Sequence, residues 1–439
     1  MIAPRRRRIW RNWSGSITCE PNHCARPVNL EQIQAEVLRA AEEGERLRPI
    51  GSGLSSSALC WTDDNHLSLD RFSGIESADA QRRRVWVRAG TRLGSLMESL
   101  ADRDWALENA PDNDTATVAG AIATASHGSG AVFGNLSTLV TGLRLVCADG
   151  SIRQCSAEQN PELFNATRVS LGALGIVSHV ELQCVDHYRL RLSNRRATLG
   201  ETLARLEELK RDHRNFEFFW FPYADTVIQR RLDETRDAPS ALTPLVALKR
   251  QTVDHTLFRA VTEAAQRAPR FTEYASRAIT QRVADRNEVL DARAAYPVRR
   301  RLRHVQMEYA IPAARVGDTL RQLDRVIRAL QFRLPMPVEV RFVRRDDLWL
   351  SPQYERDSAC ISVPAFGQSD YSAYFAAITE IFDRADGRPH WGTVHDKTAA
   401  ELRALYPRFG DFCTLREQLD PHGVFLNPSL AALLGTLLR

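Results

Sequence analysis

Long apolar runs are missing from this 439-residue chain. None approaches the roughly 20 residues that cross a bilayer, and no apolar segment follows the arginines near the N-terminus, so neither a membrane span nor a secretory signal is predicted. A strong charge bias is missing too: 59 Lys and Arg against 54 Asp and Glu leave a formal net charge of +5, too small an excess for nucleic acid to be the main partner. The one basic cluster, Arg5 to Arg8, reads as a solvated tail rather than a lipid-docking patch, so membrane association is not expected. Eight cysteines scattered over the chain exclude a disulfide framework and point to a reducing, cytoplasmic setting. Cys19, His23 and Cys24 crowd together in "CEPNHC", but no second ligand pair follows at zinc spacing, so no metal is expected. The third glycine of the dinucleotide fingerprint is absent as well, since Ser56 fills its place in "GSGLSS", which argues against a Rossmann fold.

What remains is a folded chain with 44% hydrophobic residues and a mixed α and β grammar. Asn29 is a candidate cap for a helix that stops at Gly44 and leads into a short strand before Gly51. "RRVWVRAGTRLGSLMESLADRDW" repeats the pattern, with a strand at Val85 to Val87, a break at Gly90 and a helix from Leu93 to Leu100. Asp149 and Gly150 mark a hairpin between two strands. Near residue 185 the composition shifts to arginine and helix formers, including a long polar helix over "ETLARLEELKRDHRN", as expected of a second domain.

Two tracts of small residues stand out. A glycine and serine turn after a strand lets main-chain N–H groups approach an anion without side-chain obstruction, and "GSGLSS" is such a turn. "TVAGAIATASHGSGAVFG", residues 117 to 134, is nearly free of large side chains; it is expected to form neither a packed helix nor a good strand, but to lie flat along an extended ligand. Two such tracts, each predicted to follow a strand, fit a cofactor bearing a pyrophosphate.

The strings "RPIGSGLSSS", "NAPDNDTATVAGAIATASHGSG", "SLGALGIVS", "VEVRFVRRDDLWLSP" and "RPHWGTVHDKTAAELRALYPRFGDFCTLREQLDPHGVFLN" resemble, in order and spacing, the aldonolactone oxidase group of the vanillyl-alcohol-oxidase-type flavoproteins, which includes the gulono-, arabinono- and galactonolactone enzymes and alditol oxidase. The resemblance runs from about Trp10 to Asn427 and thins in the middle. It implies an α+β fold: a PCMH-type FAD-binding domain of two subdomains over residues 1–185, an α+β cap over 186–385, and a C-terminal segment, 386–439, returning to the flavin.

By that resemblance Gly51, Ser52, Gly53, Leu54 and Ser55 hold the pyrophosphate, flanked by Ile50 and Ser56. Ser126, His127 and Gly128 lie on the cofactor's other side, and Pro111, Asp112, Thr117, Val118, Gly120, Ala121, Ala123 and Thr124 line the same site. Gly175, Ile176 and Val177 belong to the adenine end, and His390 and Asn427 return from the C-terminal segment. Many relatives carry a flavin-linked histidine where this chain has Leu54; leucine has no nucleophile, so FAD is expected to be noncovalent.

For the chemistry, "VEVR" reads as strand and puts Glu339 and Arg341 on one face, an acid to accept from hydroxyls beside a guanidinium to donate to an oxygen gaining charge. The family's "HWGK" lysine is replaced by Thr393, a neutral hydroxyl assigned a catalytic place. Asp112, in "NAPDNDT", points toward the lactone branch, while Ser362 and Pro364 stand where alditol oxidase has a histidine and a threonine, which points away from polyols. The resulting expectation is an FAD-dependent enzyme oxidising a CH–OH group of a sugar-derived substrate, foremost an aldono-1,4-lactone, with dioxygen or another acceptor taking the electrons. Two alternatives stay open: a divergent biosynthetic flavin oxidase acting on a sugar, alditol or aminocyclitol hydroxyl, and a flavin-binding protein that has lost turnover.

Overall fold

Asn29 caps the first helix as its sequence predicts: its side chain accepts the Gln32 N–H at 2.9 Å and leads Leu30–Glu42, which buries Ile33, Val37 and Ala40 at helical spacing. In the computed structural model, residues 9–240, 271–282, 286–298, 302–332, 336–366 and 371–437 are described. Arg5 to Arg8 lie outside them.

Two larger sheets organise the N-terminal region, beside the two-stranded pairs Trp10–Arg11 with Thr18–Cys19 and Trp105–Ala106 with Val185–Asp186. His23–Ala25 and Leu47–Ile50 flank Asn65–Ser68 in a parallel sheet. The second sheet is antiparallel, in the order Ile152–Ser156, Val140–Val146, Ile176–Gln183, Arg84–Arg88, Ile75–Asp79. The Asp149–Gly150 turn does join two paired strands, with Ile152 opposite Val146. One core fills both sheets and the Leu93–Ala101 helix, and takes in Leu402, Phe409, Phe412 and Leu430 from the three C-terminal helices.

The middle of the chain is sheet-centred. Eight antiparallel strands run in the order Asn287–Asp291, Arg189–Ala197, Thr226–Thr235, Asn215–Phe221, Val338–Val343, Ser358–Ala365, Val305–Pro312, Arg388–Pro389. Val338, Val340 and Phe342 pack into a second core with Leu320 and Leu323 of Val316–Ala329 and Phe375 and Ile378 of Ser372–Arg384. Strand alternation then turns Glu339 and Arg341 to the opposite face, away from those helices.

Three local expectations fail for identifiable reasons. The second small-residue tract contains a helix, Val118–Ala123: Thr117 accepts the Gly120 N–H, and Val118, Ala121 and Ile122 are large enough to seat it in the core. No strand leads directly into that tract; a loop follows the two-residue strand Trp105–Ala106. The single polar helix over residues 201 to 215 is instead two, Leu199–Ala204 and Leu206–Asp212, because Arg205 leaves helical geometry (φ −109°, ψ 14°), and Leu206 and Leu209 are buried beyond it.

Candidate active site

The turn after Leu47–Ile50 is held from three directions. The Trp13 N–H donates to the Gly53 carbonyl (2.7 Å) and the Asn12 amide to that of Ser55 (2.9 Å), while the Ser56 N–H donates to the Gly392 carbonyl (2.7 Å). Gly53 has φ +65°, a conformation that favours glycine. At Gly51 a Cβ would come within 2.5 Å of Thr117 Oγ1, so the side chain that opens the second tract packs directly on the main chain of the turn.

Between them opens a cavity of about 610 Å³, a size typical of ligand sites. Its walls include Ile50 and the first tract (Gly51, Ser52, Gly53, Leu54, Ser55 and Ser56), Pro111 and Asp112 from the loop before the second tract, and Thr117, Gly120, Ala121, Ala123, Thr124, Ser126 and His127 from that tract. Gly175 and Val177 border it as well, as do Arg341, His390 and Thr393. The narrow, glycine-lined cradle suits the extended diphosphate-bearing body of a dinucleotide, and the charged face of the eight-stranded sheet suits a polar ligand.

Other candidates stand behind this wall. Val118 and Ile176 are core residues. Gly128 packs against the Ala110 carbonyl, which a Cβ would approach to 2.4 Å. Asn427 is fully buried and donates to the carbonyls of Ala58, Leu59 and Trp61 at 2.7–3.1 Å, so it braces the first tract from the rear. Pro364 lies in strand opposite Gln306, and Ser362 accepts a hydrogen bond from the Gln306 amide. Glu339, 8% exposed, does not border the cavity; it accepts from Arg341 Nη2 at 3.3 Å.

Arg341 is the centre of a buried charge network. Its Nε donates to Glu217 Oε2 (2.8 Å) and its Nη2 to Asp112 Oδ2 (2.7 Å) as well as to Glu339; Arg230 Nη1 donates to the other Glu217 oxygen (2.5 Å). Burial works against the charge on Arg341, but Asp112, Glu217 and Glu339 outweigh it and hold the guanidinium protonated well above its ordinary range. Glu217 is held below the usual carboxylate range by Arg341 and Arg230, against the same penalty of burial.

A second pair lies beside it. His127 Nε2 and Glu308 Oε1 are 2.8 Å apart and buried. Burial opposes ionisation of Glu308, yet His127, with His390 and Arg341 beyond, brings its carboxyl down to about 2. Burial also disfavours the His127 cation, but Cys360 and Glu308 raise its pKa well above the ordinary imidazole value. His390, whose ring centroid is 5.9 Å from that of His127, goes the other way: burial, helped by His127 and Arg341 and opposed by Glu308, lowers it to about 4. One imidazole is therefore charged and its neighbour neutral. Since His390 Nδ1 accepts the Gly392 N–H (3.1 Å), the proton of the neutral ring is assigned to Nε2. Thr393 Oγ1 accepts the Glu308 N–H (3.1 Å) and donates to the His390 carbonyl (3.0 Å), so this hydroxyl fixes main chain at the wall.

Sequence reasoning missed Glu217, Gln306 and Glu308, and also Trp13 and Arg48 on the cavity wall. Three of these misses had a readable signal. "VQMEYAIP" alternates, with Gln306 and Glu308 between apolar neighbours, and "NFEFFWF" carries one acid in an aromatic run, the mark of a strand with a polar inner face.

The model of the family described as D-arabinono-1,4-lactone oxidase matches residues 180–433, and that of an FAD binding domain matches residues 21–156. The chain belongs to the D-arabinono-1,4-lactone oxidase family. Its similarity to individual members extends over nearly the full length. It is 34% identical to an L-gulono-1,4-lactone dehydrogenase of Mycobacterium tuberculosis, over 97% of this chain and 99% of that protein. It is 31% identical to an L-gulonolactone oxidase of Scyliorhinus torazame (95% and 96% covered) and 30% identical to an alditol oxidase of a Streptomyces species (96% and 98%). A cholesterol oxidase from B. sterolicum shares the fold, with a TM-score of 0.83 at 16% identity, covering 98% of this chain and 97% of that one. This member of the D-arabinono-1,4-lactone oxidase family is an FAD-dependent oxidoreductase with the two-subdomain FAD-binding fold of the vanillyl-alcohol-oxidase type.

Proposed function

We propose that the protein oxidises a CH–OH group of an aldono-1,4-lactone, using FAD held noncovalently in the 610 Å³ cavity. The observation that carries this reading is Arg341, a permanently charged guanidinium on the cavity wall, oriented by three carboxylates. When bound, the flavin supplies the acceptor for the hydride that leaves the carbinol carbon. The chain does the rest. Arg341 donates to the substrate oxygen that gains negative charge, and Asp112 sits beside it on the wall as a polar contact for hydroxyls. Glu339 and Glu217 fix the guanidinium plane from behind. His390 presents a neutral N–H, and Thr393 keeps the strand carrying Glu308 in register with the His390 turn.

In this reading residues 1–185 hold the cofactor, 186–385 present the substrate face and 386–439 return His390 to the ring. Leu54 on the wall gives the flavin no covalent anchor. Dioxygen or another acceptor would take the electrons, and the eight unpaired thiols go with a cytoplasmic location. The names of the similar proteins, lactone dehydrogenase and lactone oxidase above all, support the lactone class.

One observation favours a second reading within the same chemistry: both hydrogen-bonding roles of Thr393 Oγ1 are taken by main chain, so that position offers the substrate no charge. A sugar, alditol or aminocyclitol hydroxyl in a biosynthetic intermediate would then be the target. The test is the visible spectrum of the purified protein under anaerobic conditions. Bleaching on addition of an aldono-1,4-lactone is the expected result; bleaching by a sugar, alditol or aminocyclitol but by no lactone selects the second reading, and none across all four classes refutes both.

A further inference from the structure

Arg48 is 1% exposed and borders the cavity beneath the first small-residue tract, yet among the described residues no carboxylate lies within ion-pair distance of it. All its hydrogen bonds go to main-chain carbonyls. Nε donates to Leu59 (3.0 Å), Nη2 to Leu171 (2.9 Å), and Nη1 to Gly172 (3.1 Å) and to Phe425. Leu171 and Gly172 both adopt left-handed backbone (φ +55° and +66°), and both carbonyls bond this guanidinium. Cys60 and Asp420 act on Arg48 without bonding it: burial pushes the Cys60 thiol up, which keeps it neutral, and Asp420 accepts the Phe425 N–H while the guanidinium bonds the Phe425 carbonyl, so one residue stands between them.

Carbonyl dipoles satisfy the N–H groups of a guanidinium, but they do not cancel its charge, and an uncompensated buried ion is costly. Burial accordingly pulls Arg48 down to about 10. Every other buried guanidinium on this cavity wall is matched: Arg341 has three carboxylates. A full positive charge left over beside a cradle of glycine main chain calls for an anion in that cradle.

We propose that Arg48 is the counter-charge for the diphosphate of the bound dinucleotide, acting through the main chain it gathers rather than as a surface phosphate ligand. The proposal rests on the reading that FAD occupies this cavity. It makes Arg48 a positioning residue: it fixes the Leu59, Leu171–Gly172 and Phe425 segments around the cradle and biases the cradle's potential toward anions.

The test uses the full chain stripped of flavin and titrated with FAD, ADP and riboflavin, the last of which carries no phosphate. Arg48→Met is expected to weaken FAD and ADP by at least about 30-fold while leaving riboflavin within about threefold, because only the phosphate-bearing ligands respond to the lost charge. Arg48→Lys, which keeps the charge but loses the fork, is expected to recover most of the ADP affinity. Equal weakening of FAD and riboflavin would show a purely structural role and overturn the inference, as would unchanged FAD binding. Should the methionine variant fail to fold, the wild-type protein decides: ADP is expected to bind at least about 30-fold more tightly than adenosine, and equal binding overturns the proposal. Wild-type protein that takes up neither FAD nor riboflavin would overturn the cofactor reading along with it; FAD uptake without phosphate discrimination sinks this inference alone.

Discussion

The two ends of the cavity are built on opposite principles. The cradle end is main chain and small side chains from two contiguous tracts, stiffened from behind by Arg48 and Asn427. The cap end is a network of acids and guanidiniums, where Glu217, Glu339, Arg230 and Arg341 of one sheet meet Asp112 of a loop. A main-chain cradle tolerates little added bulk but few of its side chains carry the interaction. A charge network tolerates almost no single deletion, because each removal strands a buried partner.

Four measurements sharpen that contrast. The largest effect is expected at the cap end: Arg341→Ala should slow anaerobic flavin reduction by about 10²–10³ or more, while FAD content stays near that of the parent; equal losses of both would make the residue structural. At the cradle end, Gly51→Ala forces a Cβ to within 2.5 Å of Thr117 Oγ1. Overpacking of that kind costs about 1–3 kcal/mol, so FAD affinity measured by flavin fluorescence should fall roughly 10- to 100-fold with the reduction rate of the loaded fraction little changed. Next, acid precipitation should leave a colourless pellet and a yellow supernatant; a yellow pellet would contradict the noncovalent reading of Leu54.

The smallest effect is a pH slope. His390 and His395 have pKa values lowered to about 4, in each case by burial first. Unfolded histidine titrates near 6.5, so between about pH 6.5 and 4 the unfolded chain binds more protons and the fold loses stability as pH falls. Glu308, depressed to about 2, extends the loss below the ordinary carboxylate range. The urea midpoint should therefore drop steadily on acidification, and His395→Gln, at a position that does not border the cavity, should flatten the upper part of the curve.

The contrast also explains what sequence alone could reveal. The cradle was legible because its residues are neighbours in the chain and their smallness is a local property. Its helix was not: Thr117 and three apolar side chains among the alanines suffice for Val118–Ala123, an outcome set by the core beneath rather than by composition. Glu339 and Arg341 were legible as alternate residues of one strand. Their partners were hidden, because Glu217 faces Arg341 only through the register of Asn215–Phe221 against Val338–Val343, and Glu308 meets His127 across 181 positions of chain. Register between distant strands depends on long-range packing that no short window contains.

Asn427 and Phe425 bond to residues that precede them by 366 to 377 positions. During synthesis the amino-terminal sheets therefore leave the ribosome with the cradle unbraced from behind, and the brace arrives only with the last stretch of chain. The bracing of the cradle is thus complete only once elongation has passed Asn427, and a chain that stops in the middle of the sequence lacks it.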